Sequence, residues 1–437
     1  MNFRFYNGKI APLDEREPFL GELWIRGNRI AFCGTKEEAE KRRLEQEQGL
    51  QGEQTEIFHR EINLEGNLIL PGFKNAHTHS AMTFLRSRAD DLPLMEWLQK
   101  QVFPMEAKLQ EEDVYWLSTL AIMEYLTGGI TANFDMYFFP EENVRASIDS
   151  GFRTVLCGAV NDFQGSLEEL REQYDAFCSI HDRIGFLLGF HAEYTCSPSL
   201  LEGIAALAHE HHAPVFTHNS ETKGEVAGCK ERYGLTPTAY LNKLGMFDFG
   251  GGGFHCVYLT EEDMDIFANK GLFAVSNPGS NGKLASGIAP LQKMQKRGIP
   301  IALGTDGPAS NNALDMFREM YLAAVFQKLH MQDASALKAG DILKMACVTG
   351  AEAMGLRDCT SLAEGNLADL TVIDLQRPNM QPENHLLNNL VYSGGKENIV
   401  LTMVDGRILY ERGEFFIGKD PKEVYARANE IIRRMGK

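Results

Sequence analysis

Leu68-Ile69-Leu70-Pro71-Gly72-Phe73-Lys74-Asn75-Ala76-His77-Thr78-His79 is the stretch on which the fold turns. Residues 68–73 read as a buried strand, and two histidines follow it. The same unit recurs along the chain. Residues 130–134 precede Asp135, 154–160 form a third run, and 184–190 precede His191. Residues 214–217 precede His218, 253–257 contain His255, 272–275 precede Ser276-Asn277, and 299–304 lead to Asp306. Helical patterns separate these runs, which is the signature of repeated βα units on a parallel sheet. Eight such units predict an α/β fold, a (β/α)8 TIM-like barrel. The carboxyl ends of its strands converge on one face, so polar residues far apart in sequence become neighbours there.

The two ends of the chain differ from the middle. Residues 3–10 and 22–32 are strand-like, with a turn at Arg26-Gly27-Asn28. Residues 36–65 are charge-rich and read as a solvated helix plus loop. Residues 368–374, 390–392 and 399–404 are short apolar runs, and Asp405-Gly406 signals a hairpin before 407–410. A small β-sandwich domain is expected from residues 1–67 and 367–437, and the catalytic barrel from 68–366.

The 437 residues hold 43 basic and 60 acidic side chains, a net charge of −17. That balance argues against nucleic acid or an anionic membrane as partner, and leaves a small molecule in a pocket. The eight cysteines form no C-x-x-C pair and are scattered, as in a reducing cytosol. Met1 to Asp14 lacks a signal-peptide pattern, and no uncharged apolar run is long enough to span a bilayer. A cytoplasmic protein is expected.

His77-Thr78-His79 is the sharpest motif. In an extended segment residues i and i+2 point the same way, so both imidazoles face one point. With His218 and Asp306 at other strand ends they make a set of three nitrogens and one carboxylate. Such a set suits zinc or ferrous iron and leaves a position for a water, whose pKa the metal can bring to about 7. His209-Glu210-His211-His212 lacks the H-E-x-x-H spacing, since position 213 is alanine, and reads as the polar end of a helix. Gly250 to Gly253 reads as a loop into the sixth strand.

Together these residues resemble the amidohydrolase superfamily. The carriers are residues 71–79, Thr217-His218-Asn219-Ser220-Glu221-Thr222, His255-Cys256-Val257-Tyr258-Leu259 and residues 303–312. Met95-Glu96-Trp97-Leu98, Asp135-Met136-Tyr137 and residues 277–284 resemble the aminohydrolase branch. That branch contains the 5-methylthioadenosine/S-adenosylhomocysteine deaminases, with guanine deaminases and triazine hydrolases as cousins. The likeness covers nearly the whole chain.

The resemblance implies one divalent metal per subunit, usually zinc with ferrous iron as the alternative, held by His77, His79, His218 and Asp306. It implies proton and water work for Glu221 and His255, and substrate contacts for Glu96 and His191, Glu96 through ribose hydroxyls. It also implies a homo-oligomer. Asp306 can take a proton from the attacking water. Glu221 can protonate the ring nitrogen, and His255 can hold the attacking oxygen. Asp135 is expected to orient a ligand histidine. Relatives that take long anionic tails carry arginines where this chain has Gly158 and Ser166, and many carry histidine in place of Ser276. The expected activity is hydrolytic deamination of an adenine nucleoside. 5-Methylthioadenosine or adenosine is favoured over S-adenosylhomocysteine. A free base, pterin or aminotriazine is the alternative substrate, and a non-catalytic scaffold the alternative role.

Overall fold

The computed structural model describes residues 1–48, 57–88, 90–92 and 94–436. Eight parallel strands carry the middle of the chain. They are Phe73–Thr78, Ile130–Met136, Arg153–Cys157, Ile184–Ala192, Val215–Asn219, Gly251–His255, Phe273–Ser276 and Ile301–Leu303, each paired with its neighbour in sequence. Ala132, Phe134, Phe216, Phe254, Val275 and Ala302 form one buried cluster among them. Between the last strand and the first, side-chain and backbone hydrogen bonds complete the closure. Thr305 N–H donates to Asn75 Oδ1 at 2.8 Å, Asn75 Nδ2 donates to Thr305 Oγ1 at 2.7 Å, and Asp306 N–H donates to the His77 carbonyl at 2.9 Å.

The two ends of the chain build one nine-stranded sheet. It folds over on itself: Ile30 N–H reaches the Asn366 carbonyl at 2.9 Å, and Ala368 N–H reaches that of Asn28 at 2.8 Å. Phe5, Ile10, Leu23, Ile69, Leu370 and Met403 share the enclosed core. The central strand, Leu68–Pro71, lies between Asn2–Ile10 and Leu370–Ile373.

This placement divides the apolar stretch 68–73, expected above as the first barrel strand. Leu68–Pro71 belongs to the terminal sheet, where all four residues are buried. A strand covered on both faces reads as a continuous apolar run, whichever sheet it joins. The chain crosses over at Gly72, and the barrel starts at Phe73.

Three further expectations change. Residues 390–392 end a helix, Leu386–Tyr392, because three apolar residues carry no period that separates strand from helix. Pro421–Met435 is also a helix, with Val424, Ala428, Ile431 and Met435 buried at helical spacing. The stretch 36–65 contains the capped helix Lys36–Glu47, and Arg60–Asn63 pairs in parallel with Asn2–Ile10. Its residues 49–56 lie outside the described residues.

A buried ion pair ties barrel to terminal sheet. Arg153 Nε and Nη2 donate to Asp369 Oδ2 and Oδ1 at 2.6 and 3.1 Å, with side-chain exposures of 2% and 0%. Breaking one side of such a pair strands a charge out of water, at about 3–5 kcal/mol. Asp369→Asn should therefore lower the denaturant midpoint by that much stability. A loss well under about 1 kcal/mol would show the pair to be dispensable.

Candidate active site

The first barrel strand delivers His77 and leads to His79, the fifth delivers His218, and the eighth leads to Asp306. Nε2 of His77 and of His79 lie 3.5 and 3.2 Å from Asp306 Oδ1. The ligating atoms of His77, His79 and His218 lie within 4.8 Å of one another. Neighbouring strands aim the rings. His79 Nδ1 is bonded to the Met136 carbonyl at 2.5 Å, and His218 Nδ1 to the His191 carbonyl at 2.7 Å, which turns each Nε2 inward. Asp306 Oδ1 accepts the Gly307 N–H at 2.7 Å, while Oδ2 accepts the hydroxyls of Ser280 and Ser310 at 2.6 and 2.8 Å.

The residues fit a divalent metal. His77 is fully buried, yet among the described residues neither ring nitrogen has a hydrogen-bond partner. Orphaned polar atoms of that kind are rare in folded proteins. Burial drives the His77 imidazole down to about 3 and holds His218 well below its ordinary value. Asp306 is also held well below its ordinary value: burial opposes its charge, but the His77 and His79 imidazoles beside it outweigh burial and favour the carboxylate. The same carboxylate raises the His79 imidazole against the effect of burial, and imidazoles beside one carboxylate are ligands for zinc or ferrous iron.

Glu221 and His255 stand beside this centre. Glu221 Oε1 accepts the Ser286 hydroxyl at 2.8 Å, and its N–H donates to Glu225 at 2.8 Å. Glu221 Oε2 lies 3.9 Å from His255 Nε2, which is also 4.0 Å from Asp306 Oδ2. His255 Nδ1 is bonded to Asn281 Oδ1 at 2.8 Å. Ser220, His255, Cys256 and Asp306 all have positive φ, between 50° and 70°. Left-handed backbone at four non-glycine residues is strain concentrated where strand ends turn into the site.

A cavity of about 740 Å³ opens onto His79, His191, His218, Glu221, His255 and Asp306. Met82, Trp97, Leu98, Tyr137, Phe138 and Tyr194 contribute to its walls. An apolar cleft with a few convergent polar groups is the usual form of a small-molecule site. His191 lines it, and burial lowers that imidazole to about 4.

Glu96 is not brought to the cavity: its carboxylate is paired with Lys100 at 2.6 Å and is 41% exposed. Glu106, ten residues on, does line it. Glu106 Oε1 accepts the Tyr137 hydroxyl at 2.9 Å, and burial pushes its pKa up to about 7. Sequence reasoning missed Glu106. The π-helical turn Leu98–Val102 between the two glutamates breaks the helical period that would have separated an inward carboxylate from an outward one.

The remaining positions are structural in their contacts. Asp135 accepts the Ser80 N–H at 3.1 Å and the Asn143 amide at 2.8 Å, holding the backbone after His79 while Met136 orients the ring. Ser276 accepts the Gly304 N–H through its carbonyl at 2.9 Å and does not line the cavity. A Cβ at Gly158 would stand 2.4 Å from Leu170 Cδ1 and 2.6 Å from the Gly189 carbonyl oxygen, so no side chain fits there. Ser166 caps the helix Leu167–Phe177. His209 pairs with Asp248 at 3.2 Å and is not among the residues grouped around His77. Gly251, Gly252 and Gly253 lie in the sixth strand itself rather than in a loop before it.

The amidohydrolase family pattern matches residues 68–409. A 5-methylthioadenosine/S-adenosylhomocysteine deaminase of Dictyoglomus thermophilum is 41% identical over 381 residues, 85% of this chain and 89% of the relative. One from Thermoanaerobacter pseudethanolicus is 36% identical over 447 residues, 99% of this chain and 100% of the relative. The crystal structure of an adenosine deaminase from Xanthomonas campestris with bound zinc superposes with a TM-score of 0.92 at 31% identity, covering 99% of this chain and 98% of that one. With its eight-stranded barrel and His-rich centre, the chain belongs to the amidohydrolase family and is a hydrolase acting on carbon–nitrogen bonds.

Proposed function

We propose that the protein deaminates an adenine nucleoside with a small uncharged 5′ group, 5-methylthioadenosine or adenosine, using zinc. The observation that carries this reading is the third carboxylate of the cavity. Glu221 and Asp306 sit at the His-rich end, whereas among the described residues the Glu106 carboxyl is bonded to Tyr137 through Oε1 and keeps Oε2 for a ligand. A carboxylate there can accept hydrogen bonds from ribose hydroxyls, the role expected above for Glu96. The relatives named as nucleoside deaminases agree with it.

His77, His79, His218 and Asp306 would hold a divalent ion, which when bound would supply the Lewis acidity that makes a water nucleophilic. The chain's own residues do the rest. Asp306 accepts the proton that the water loses. Glu221 delivers a proton to the ring nitrogen and leaves the adjacent ring carbon electrophilic. His255 Nε2 hydrogen-bonds the incoming oxygen; the proton taken up by Asp306 passes to the exocyclic amine, the C–N bond breaks to release ammonia, and the added hydroxyl returns its proton to Glu221 as the carbonyl forms. No arginine stands at Gly158 or Ser166, so a homocysteine carboxylate finds no charge-assisted partner there.

The decisive experiment is an ammonia-release screen over adenosine, 5-methylthioadenosine, S-adenosylhomocysteine, guanine, cytosine and aminotriazines. A free base or triazine turned over faster than every nucleoside would overturn the reading. His79→Ala should lose bound metal and most activity while unfolding cooperatively, and full zinc occupancy with normal turnover would remove the assigned centre. Glu221→Gln should keep its metal and lose at least about 10²-fold in kcat; near-normal turnover would exclude it from proton transfer. Glu106→Ala should cost nucleosides on the order of 10²-fold in kcat/KM, at roughly 1.5–3 kcal/mol per hydrogen bond to a charged group, and leave free bases almost unaffected. Because Glu106 takes up a proton below about 7, KM for nucleosides should rise as the pH falls through that value. A flat KM profile in the wild type would contradict its acceptor role.

A further inference from the structure

The segment that follows the seventh strand touches all three groups assigned to proton handling. Ser280 Oγ donates to Asp306 Oδ2 at 2.6 Å, Asn281 Oδ1 meets His255 Nδ1 at 2.8 Å, and Ser286 Oγ donates to Glu221 Oε1 at 2.8 Å. The segment is itself anchored. Gly279 N–H donates to Glu319 at 2.7 Å, Ser286 N–H donates to the Asn281 carbonyl at 2.9 Å, and the Tyr258 hydroxyl donates to the Ser286 carbonyl at 2.5 Å.

Ser286 is buried and does not line the cavity, so it acts on substrate only through Glu221. Its hydroxyl occupies Oε1. Glu225 meanwhile holds the backbone amides of Ser220 and Glu221, at 2.7 and 2.8 Å. With the backbone pinned and one oxygen engaged, the carboxyl cannot spin freely. An oxygen that already accepts an O–H is the poorer place for a second proton, so the acidic proton belongs on Oε2, the oxygen 3.9 Å from His255 Nε2.

We propose that Ser286 is a positioning residue for the reaction: it selects Glu221 Oε2 as the oxygen that carries the proton to the substrate's ring nitrogen. The step breaks the Oε2–H bond, forms the N–H bond and leaves the electron pair on Oε2, where Ser286 continues to stabilise the carboxylate through Oε1. The inference rests on the assignment of Glu221 above as proton carrier.

The test uses the zinc-loaded enzyme and whichever of adenosine and 5-methylthioadenosine it turns over faster. Ser286→Ala should lower kcat roughly 10- to 100-fold, with KM and zinc content nearly unchanged, and Ser286→Thr should restore most of the rate. In a Glu221→Gln background the same substitution should cost less than about 3-fold, because the group it serves is already gone. A merely structural serine would give equal fractional losses in both backgrounds, and that result would overturn the proposal. A raised KM at unchanged kcat, or no rescue by threonine, would also overturn it. If Ser286→Ala does not accumulate as folded protein, Ser286→Cys, close in size with a weak donor, is read by the same criteria. Full activity in Glu221→Gln alone would instead strike the assignment on which the inference stands.

Discussion

The hydrogen bond from the Asp306 amide to the His77 carbonyl, 2.9 Å long, is the constraint on which the rest depends. It joins the end of the last barrel strand to the first, at the seam that Asn75 and Thr305 close with side chains. The same two residues are metal-ligand candidates. To send its N–H to His77 and its carboxylate to the imidazoles, Asp306 takes a left-handed backbone, φ 58°. Barrel closure and ligand geometry are therefore a single condition. Any ion bound there adds its binding free energy to closure of the barrel.

The remaining parts of the site divide the work by structural element. Strands and their ends hold the ligands, and carbonyls of adjacent strands aim the rings of His79 and His218, so the orientation of those two rings is a property of the barrel and not of a local loop. The turn after the seventh strand holds the proton-handling groups. The helical stretch from Leu94 to Glu106 supplies one wall of the cavity. Rigid strands with variable connections allow substrate choice to change while the His-rich centre is kept.

What the sequence made legible follows from how each feature is encoded. The strands showed because a buried strand is a continuous apolar run, and His77, His79, His191, His218, His255 and Asp306 stood out because they lie at or just past the ends of such runs. The same encoding misplaced Leu68–Pro71, since an apolar run announces burial without naming the sheet. The helix Pro421–Met435 had a readable period, Val424, Ala428, Ile431 and Met435, that the surrounding hairpin signals obscured. Glu106 was not legible in principle. Glu96 and Glu106 are both single acidic residues among apolar ones, and only the π turn between them decides which faces the cavity. Ser286 carries no motif at all; its contact with Glu221 crosses 65 positions of chain.

The central place of Leu68–Pro71 bears on how the molecule is made. Its neighbour on one side, Asn2–Ile10, leaves the ribosome before it. Its neighbour on the other, Leu370–Ile373, follows roughly 300 residues later, a delay of roughly 15–60 s at ordinary elongation rates. Until then the nascent N-terminal strands present an apolar edge with unpaired backbone groups, the kind of template that recruits foreign strands. The growing chain thus carries a sticky flank while the whole barrel is made, and Leu370–Ile373 is what finally covers it.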